Sequence, residues 1–266
     1  MTAWCTVTIE YRGLRRRRDL LTNWLPAFIS TIGIDGAWFF ADTITPAAGD
    51  DADAAKGEIE IAMDVGARDP KAIEDLVRAS LADSFATGAV SGLSSLPRPR
   101  LLDPVLFAGS IASMVYAGLL SEGTRRAIAI LRELEPPLST ITSEVEAVMG
   151  LVDPEHRVLL ADNYATWLEA VAQRRAGEDD EDGTPAPRPV TATSATPPTP
   201  YGDALIDAFA EETGALPMPQ RSELVARLAH LQATRLDPTL SLADEAALVR
   251  GLVPRFAHRA TPRDAD

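Results

Sequence analysis

The side chains able to move protons or grip anions cluster in two places. One is the stretch LAHLQATRL (228–236), which sets His230, Gln232 and Arg235 among leucines and alanines. An imidazole ionises near neutrality, and a lone histidine in a helix reads either as a structural or exposed side chain or as one available for chemistry. Arg235 stands five positions on, about 140° around a helix, so the two do not share a face. Arg235 instead continues the stripe of Leu224, Leu228 and Leu231. It reads either as an arginine at the edge of a core, paired with a carboxylate, or as a pocket residue. The other place is RGLRRRR (12–18), five arginines at the start of a helix. Cations there oppose the helix macrodipole. Arg16, Arg17 and Arg18 read either as a solvated helix end or as a grip for an anionic partner such as an acidic peptide. Tyr116 lies alone in an apolar helix, where its hydroxyl needs a partner or a cavity and core packing is the default reading.

Other chemistries lack their residues. His156, His230 and His258 are far apart and Cys5 is the only cysteine, so no metal site and no internal disulfide are expected. Gly88 and Gly92 lack the spacing of a phosphate-binding loop, and neither HExxH nor GxSxG occurs. No cofactor is therefore expected. A net charge of −14 repels phosphate backbones and argues against nucleic-acid partners. The N-terminus has no signal-peptide pattern. The longest apolar run, 104–120, contains Gly109, Ser110, Ser113 and Gly118, and reads as a buried helix rather than a membrane span. A reducing, cytoplasmic setting is expected.

The elements that must carry these residues follow from periodicity. WCTVTIEY (4–11) alternates as a half-buried strand, and RRRDLLTNWLPAFISTI (16–32) has helical spacing with Pro26 as a flaw that would kink it. GAWFFADTI (36–44) and EIEIAMDV (58–65) read as strands joined through a polar turn, 49–57. Pro70 opens a helix with Ile73, Leu76, Val77, Leu81 and Phe85 on one face. A fourth strand fits 89–96. The order is β-α-β-β-α, an antiparallel, ferredoxin-like unit. The remainder reads as helical: 103–123, 124–134, 140–151, 154–175 starting at Pro154, 201–213, 219–236 and 241–257, with a cap region around Ser241 and Glu245. The expected class is α+β, an N-terminal sheet followed by a mainly helical half. Residues 1–175 form the core and 201–259 complete the same domain. The stretch 176–200, rich in Pro, Thr, Asp and Ala, reads as a disordered loop, and 260–266 as a fraying tail.

Three stretches together carry a resemblance. Trp4 in the first strand followed by WFF (38–40), then EIEIAMDV, then LAHLQATRL with SLADEAAL, resembles the domain at the C-terminus of lanthipeptide dehydratases, which also occurs as stand-alone proteins in thiopeptide biosynthesis. His230, Leu231, Thr234, Arg235, Leu236 and Glu245 match that family's terminal pattern, with Thr234 in place of an asparagine. The resemblance spans the chain apart from 176–200. It implies one of two chemistries: elimination of glutamate from glutamylated serine or threonine, or formal [4+2] cycloaddition of two dehydroalanines to give a pyridine, with loss of water and leader peptide.

The departures favour the second. Eliminating members have an arginine just after WFF and others in the alternating strand, suited to a carboxylate leaving group. Here Ala41 and Asp42 follow WFF, and the strand carries Glu58 and Glu60. The resemblance thus implies a pyridine synthase acting on a ribosomally made precursor peptide, alongside other biosynthetic enzymes. His230 would transfer or orient protons, with Arg235 its neighbour in the pocket and Tyr116 and Tyr11 as further hydroxyl candidates. Arg16, Arg17 and Arg18 would hold the leader. The missing arginines also fit a non-catalytic module that only binds the precursor.

Overall fold

A computed structural model describes residues 3–45, 55–96, 113–133, 135–178 and 201–260. They pack as two compact units, Met1–Glu135 and Pro136–Asp266. The break falls inside the stretch 1–175 that the sequence reading treats as one core. Most of the polar turn 49–57, most of the tail 260–266, most of the expected loop 176–200 and the first part of the expected helix 103–123, up to residue 112, lie outside the described residues.

In the first unit, β1 (Ala3–Arg12) runs through the centre of a four-stranded sheet in the order β2-β3-β1-β4, with β2 Trp38–Thr45, β3 Lys56–Gly66 and β4 Val90–Leu96. Every neighbouring pair is antiparallel. This is the ferredoxin-like order, and it includes the fourth strand. Alternation puts Cys5, Val7, Ile9 and Tyr11 on one face, opposite Met63, Ile61, Ile59 and Gly57 of β3. Helices cover that face. Cys5 Sγ lies 3.5 Å from the Pro70 carbonyl, where α3 (Pro70–Ser80) begins, with Asp69 as its cap accepting from the Lys71 amide at 3.0 Å. The helix expected to reach Phe85 breaks at Leu81 and resumes as α4 (Ala82–Ala86). Leu76, assigned to its buried face, is exposed instead.

The arginine-led helix is continuous from Leu14 to Ile32 but changes winding. Ordinary turns, α1 (Leu14–Asp19) and α2 (Leu25–Ile32), flank a wide turn over Leu20–Trp24, where the Leu25 amide reaches the Leu20 carbonyl. Pro26 has no N–H for the Thr22 carbonyl four residues back. That carbonyl accepts from Arg132 Nε at 3.0 Å instead.

Arg132 belongs to α5 (Ser113–Glu133). Over the described residues this is one helix rather than two separated near residue 123. Ser121 and Thr124 look like a polar stop in the sequence, but both are buried. Thr124 Oγ1 accepts the Phe40 amide at 3.2 Å, so α5 satisfies a backbone donor of the edge strand β2.

The second unit is helical: α6 (Leu138–Met149), α7 (Pro154–Glu178), α8 (Asp203–Thr213), α9 (Met218–Leu236) and α10 (Leu242–Ala260). Helix α10 packs along α7, and α9 along α6. Arg250 joins α10 to α7 through both Glu169 oxygens at 2.9 Å each, a bidentate ion pair. The α9–α10 connection is short because Asp237 Oδ1 accepts from the Thr239 amide at 2.9 Å and closes the turn.

Candidate functional site

Helix α10 begins at a cap that is legible in the chain. Ser241 Oγ accepts the Asp244 amide at 3.0 Å and returns a bond to the Asp244 carboxylate at 2.7 Å. The cap's partner is Asp244, and this leaves the neighbouring Glu245 free to turn inward. Glu245 therefore sits in the first turn of the helix, where the backbone N–H groups favour a negative charge. Its side chain is 1% exposed.

Both Glu245 oxygens are engaged by side chains of other helices. The buried Tyr164 hydroxyl of α7 donates to Oε1. His230 Nδ1 of α9 lies 2.8 Å from Oε2. His230 is 41% exposed, so one edge of the ring faces the buried carboxylate and the rest faces outward. Burial works against the charged imidazole, but the hydrogen bond and charge of Glu245 outweigh it and raise the His230 pKa above its ordinary value. Arg175 opposes that rise. Burial, then the charge and hydrogen bond of Glu245, hold the Tyr164 phenol well above its ordinary range, so it stays a donor. The Trp167 ring stacks on Tyr164 with centroids 6.2 Å apart and is itself 55% exposed.

Arg235 and Gln232 occupy other faces of α9. Both are buried, and Gln232 Nε2 donates to Glu144 Oε2 of α6 at 3.1 Å. Arg235 is among the largest fully buried side chains. The helix thus presents His230 outward and keeps Arg235 inside.

The remaining predicted residues belong to the first unit. Arg17 is buried and its Nε donates to Asp42 Oδ2, a carboxylate with no exposed surface. Arg16 pairs with Asp19 at 2.7 Å and also donates to Ser84 Oγ. Arg18 Nε donates to the Leu131 carbonyl at 2.8 Å. Tyr11 is buried beside this pair. Burial first, then the Asp42 charge, push its phenol pKa up. Its ring crosses over Gly57, where a Cβ would stand 2.3 Å from the hydroxyl. Tyr116 is buried in α5. So the three helix-start arginines all have partners within the chain, and neither tyrosine is open to a peptide at its surface. Tyr164 and Asp42 went unassigned in the sequence reading. Asp42 stands in a strand of otherwise apolar or small residues facing an arginine-rich helix start, which was the available signal. Tyr164 sits in an amphipathic helix with nothing to single it out.

Among the described residues no group of three or more His, Cys, Asp or Glu side chains is arranged to hold a metal ion, and no helix is long and apolar enough to cross a membrane.

No family model and no curated protein matches the chain. Among solved structures, its fold is similar to that of the tRNA-dependent lantibiotic dehydratase MibB from Microbispora sp. 107891, with a TM-score of 0.59 at 14% identity. The match covers 97% of this chain and 29% of that one, so this chain spans less than a third of the dehydratase's length.

Proposed function

We propose that this chain modifies a ribosomally made precursor peptide by formal [4+2] cycloaddition of two dehydroalanines, forming a pyridine with loss of water and leader. The observation that carries the reading is the half-exposed imidazole of His230 held by the buried carboxylate of Glu245. The fold's likeness to a lantibiotic dehydratase supports it.

The reaction asks for proton movement and positioning alone. The iminol form of an amide and the adjoining dehydroalanine supply four atoms, and the second dehydroalanine supplies two. Two bonds form, one between the methylene carbons and one between the iminol carbon and the second α-carbon. The iminol oxygen then leaves as water and the leader as a C-terminal amide. These two eliminations leave an aromatic ring with no oxidant required. His230, through its outward edge, shifts the proton that converts amide to iminol and returns one to the departing oxygen. Holding both alkenes together supplies the rest as an entropic term. We give the proton role to His230 rather than Tyr11 or Tyr116 because both tyrosines are buried. Leader binding falls to Arg16 and Arg18, which keep part of their surface exposed beside their partners in the chain, whereas Arg17 is sealed with Asp42.

The likeness to a dehydratase supports one second reading, elimination of glutamate from a glutamylated serine. Against it stand Glu58 and Glu60 on β3 and the absence of any arginine in that strand. Mass spectrometry of a leader-bearing peptide with two dehydroalanines decides between them. The expected product has lost water and released a leader amide. An unchanged mass, with loss of glutamate from a glutamylated peptide, overturns the cycloaddition reading in favour of elimination. No change in either peptide leaves only a binding role.

A further inference from the structure

Three helices converge on one carboxylate in the second unit, and only one of the side chains involved was expected to do chemistry. Glu245 comes from the first turn of α10, Tyr164 from the middle of α7 and His230 from α9. We infer that Tyr164 and Glu245 are positioning residues that fix His230 in one tautomer, with Nδ1 on the carboxylate and Nε2 as the nitrogen offered to the peptide. The inference rests on the reading of His230 as the proton-transfer group and adds how that group is aimed.

A lone carboxylate beside an imidazole would not fix the ring. It could rotate, hydrate, or exchange its two oxygens. Glu245 has no such freedom. Its side chain is 1% exposed, and Tyr164 claims Oε1 and leaves Oε2 for His230. A carboxylate accepts and does not donate, so the neutral ring must carry its proton on Nδ1. The lone pair then lies on Nε2, at the opposite edge of the ring. Trp167 stacks on the Tyr164 ring and holds it in place. The same logic orients the ligand histidines of metal sites through a second carboxylate.

Tyr164 has a second effect. A phenol bonded to Oε1 draws charge away from Oε2. It therefore limits how strongly Glu245 holds a proton on His230, keeping the neutral, basic form accessible. The charges facing His230 are Glu245 from α10 and Arg175 from α7. On the α6 side the carboxylate is Glu144, held by Gln232 on another face of α9.

The test is nitrogen–proton correlation NMR of the imidazoles in the full-length chain, with the His230→Ala variant identifying the signal among three histidines. The expected neutral ring carries its proton on Nδ1. Glu245→Gln should mix the tautomers and lower the His230 titration midpoint by about 1 pH unit or more. Tyr164→Phe, which keeps the ring and its stacking, should raise that midpoint and leave the tautomer unchanged. A proton on Nε2 in the wild type, or a tautomer and midpoint indifferent to Glu245→Gln, overturns the positioning role. A midpoint unmoved by Tyr164→Phe overturns the part given to Tyr164. This readout needs no substrate. If the NMR behaves as expected and no peptide is converted, the positioning stands and the cycloaddition reading fails. If peptide is converted and the NMR does not respond, the reverse holds.

Discussion

Asp42 in the first unit and Glu245 in the second each hold a basic side chain from another element, yet they are built to different depths. In the Arg17–Asp42 pair both side chains are sealed, at 4% and 0% exposure. In the His230–Glu245 pair the carboxylate is equally buried, but the imidazole is 41% exposed. A guanidinium cannot give up its proton, so the sealed pair can only be a fixed strut. An imidazole can, and of the two pairs the open one meets solvent on that side. A buried carboxylate by itself does not mark a working site; what matters is whether its partner titrates and can be reached.

Substituting each pair in turn sharpens that contrast. His230→Ala should cost about 10²–10⁴-fold in turnover, measured on the dehydroalanine peptide, while the denaturation midpoint moves less than in the next case. Asp42→Ala removes the carboxylate facing a buried guanidinium and should cost about 3–5 kcal/mol of stability in urea unfolding. Replacing both partners, Arg17→Met with Asp42→Leu, should recover most of that loss. A double variant as unstable as Asp42→Ala would mean that Arg17 does more than neutralise a charge.

The open pair should also write itself into the pH dependence of stability. Because the folded-state pKa of His230 is raised, its contribution is full below the ordinary value of 6.5 and is lost as pH rises from there through the folded-state value. Urea midpoints measured across this window should fall in the wild type and flatten in Glu245→Gln. An unchanged slope would break the comparison. The smallest effect belongs to the cap: Ser241→Ala should cost about 1 kcal/mol. It should also slow turnover modestly, because the cap sets the first turn that aims Glu245.

The alternation of β1 and β3 and the helical spacing elsewhere made the sheet and most helices readable, since each face is either buried or wet and the period records which. The continuity of α5 was hidden because Ser121 and Thr124 are polar but buried: Thr124 serves the sheet edge, and Ser121 Oγ donates to the Ala117 carbonyl one turn back. The arginine run looked like a surface, and nothing local says that Arg17 turns inward to Asp42, 25 positions away. His230 and Glu245 were both visible as members of one pattern. Tyr164 was not, because its role depends on α7 lying against α10.

The wide turn over Leu20–Trp24 has a consequence for the evolution of this chain. Such a turn holds one residue more than an ordinary helical turn and absorbs it without rotating the helix before it relative to the helix after it. Deleting one residue between 20 and 24 would restore regular winding and leave Arg17 facing Asp42, whereas a deletion in the regular turns of α2 would rotate the residues before it by about 100°. The wide turn is thus the place in this helix where the chain should tolerate the loss of one residue.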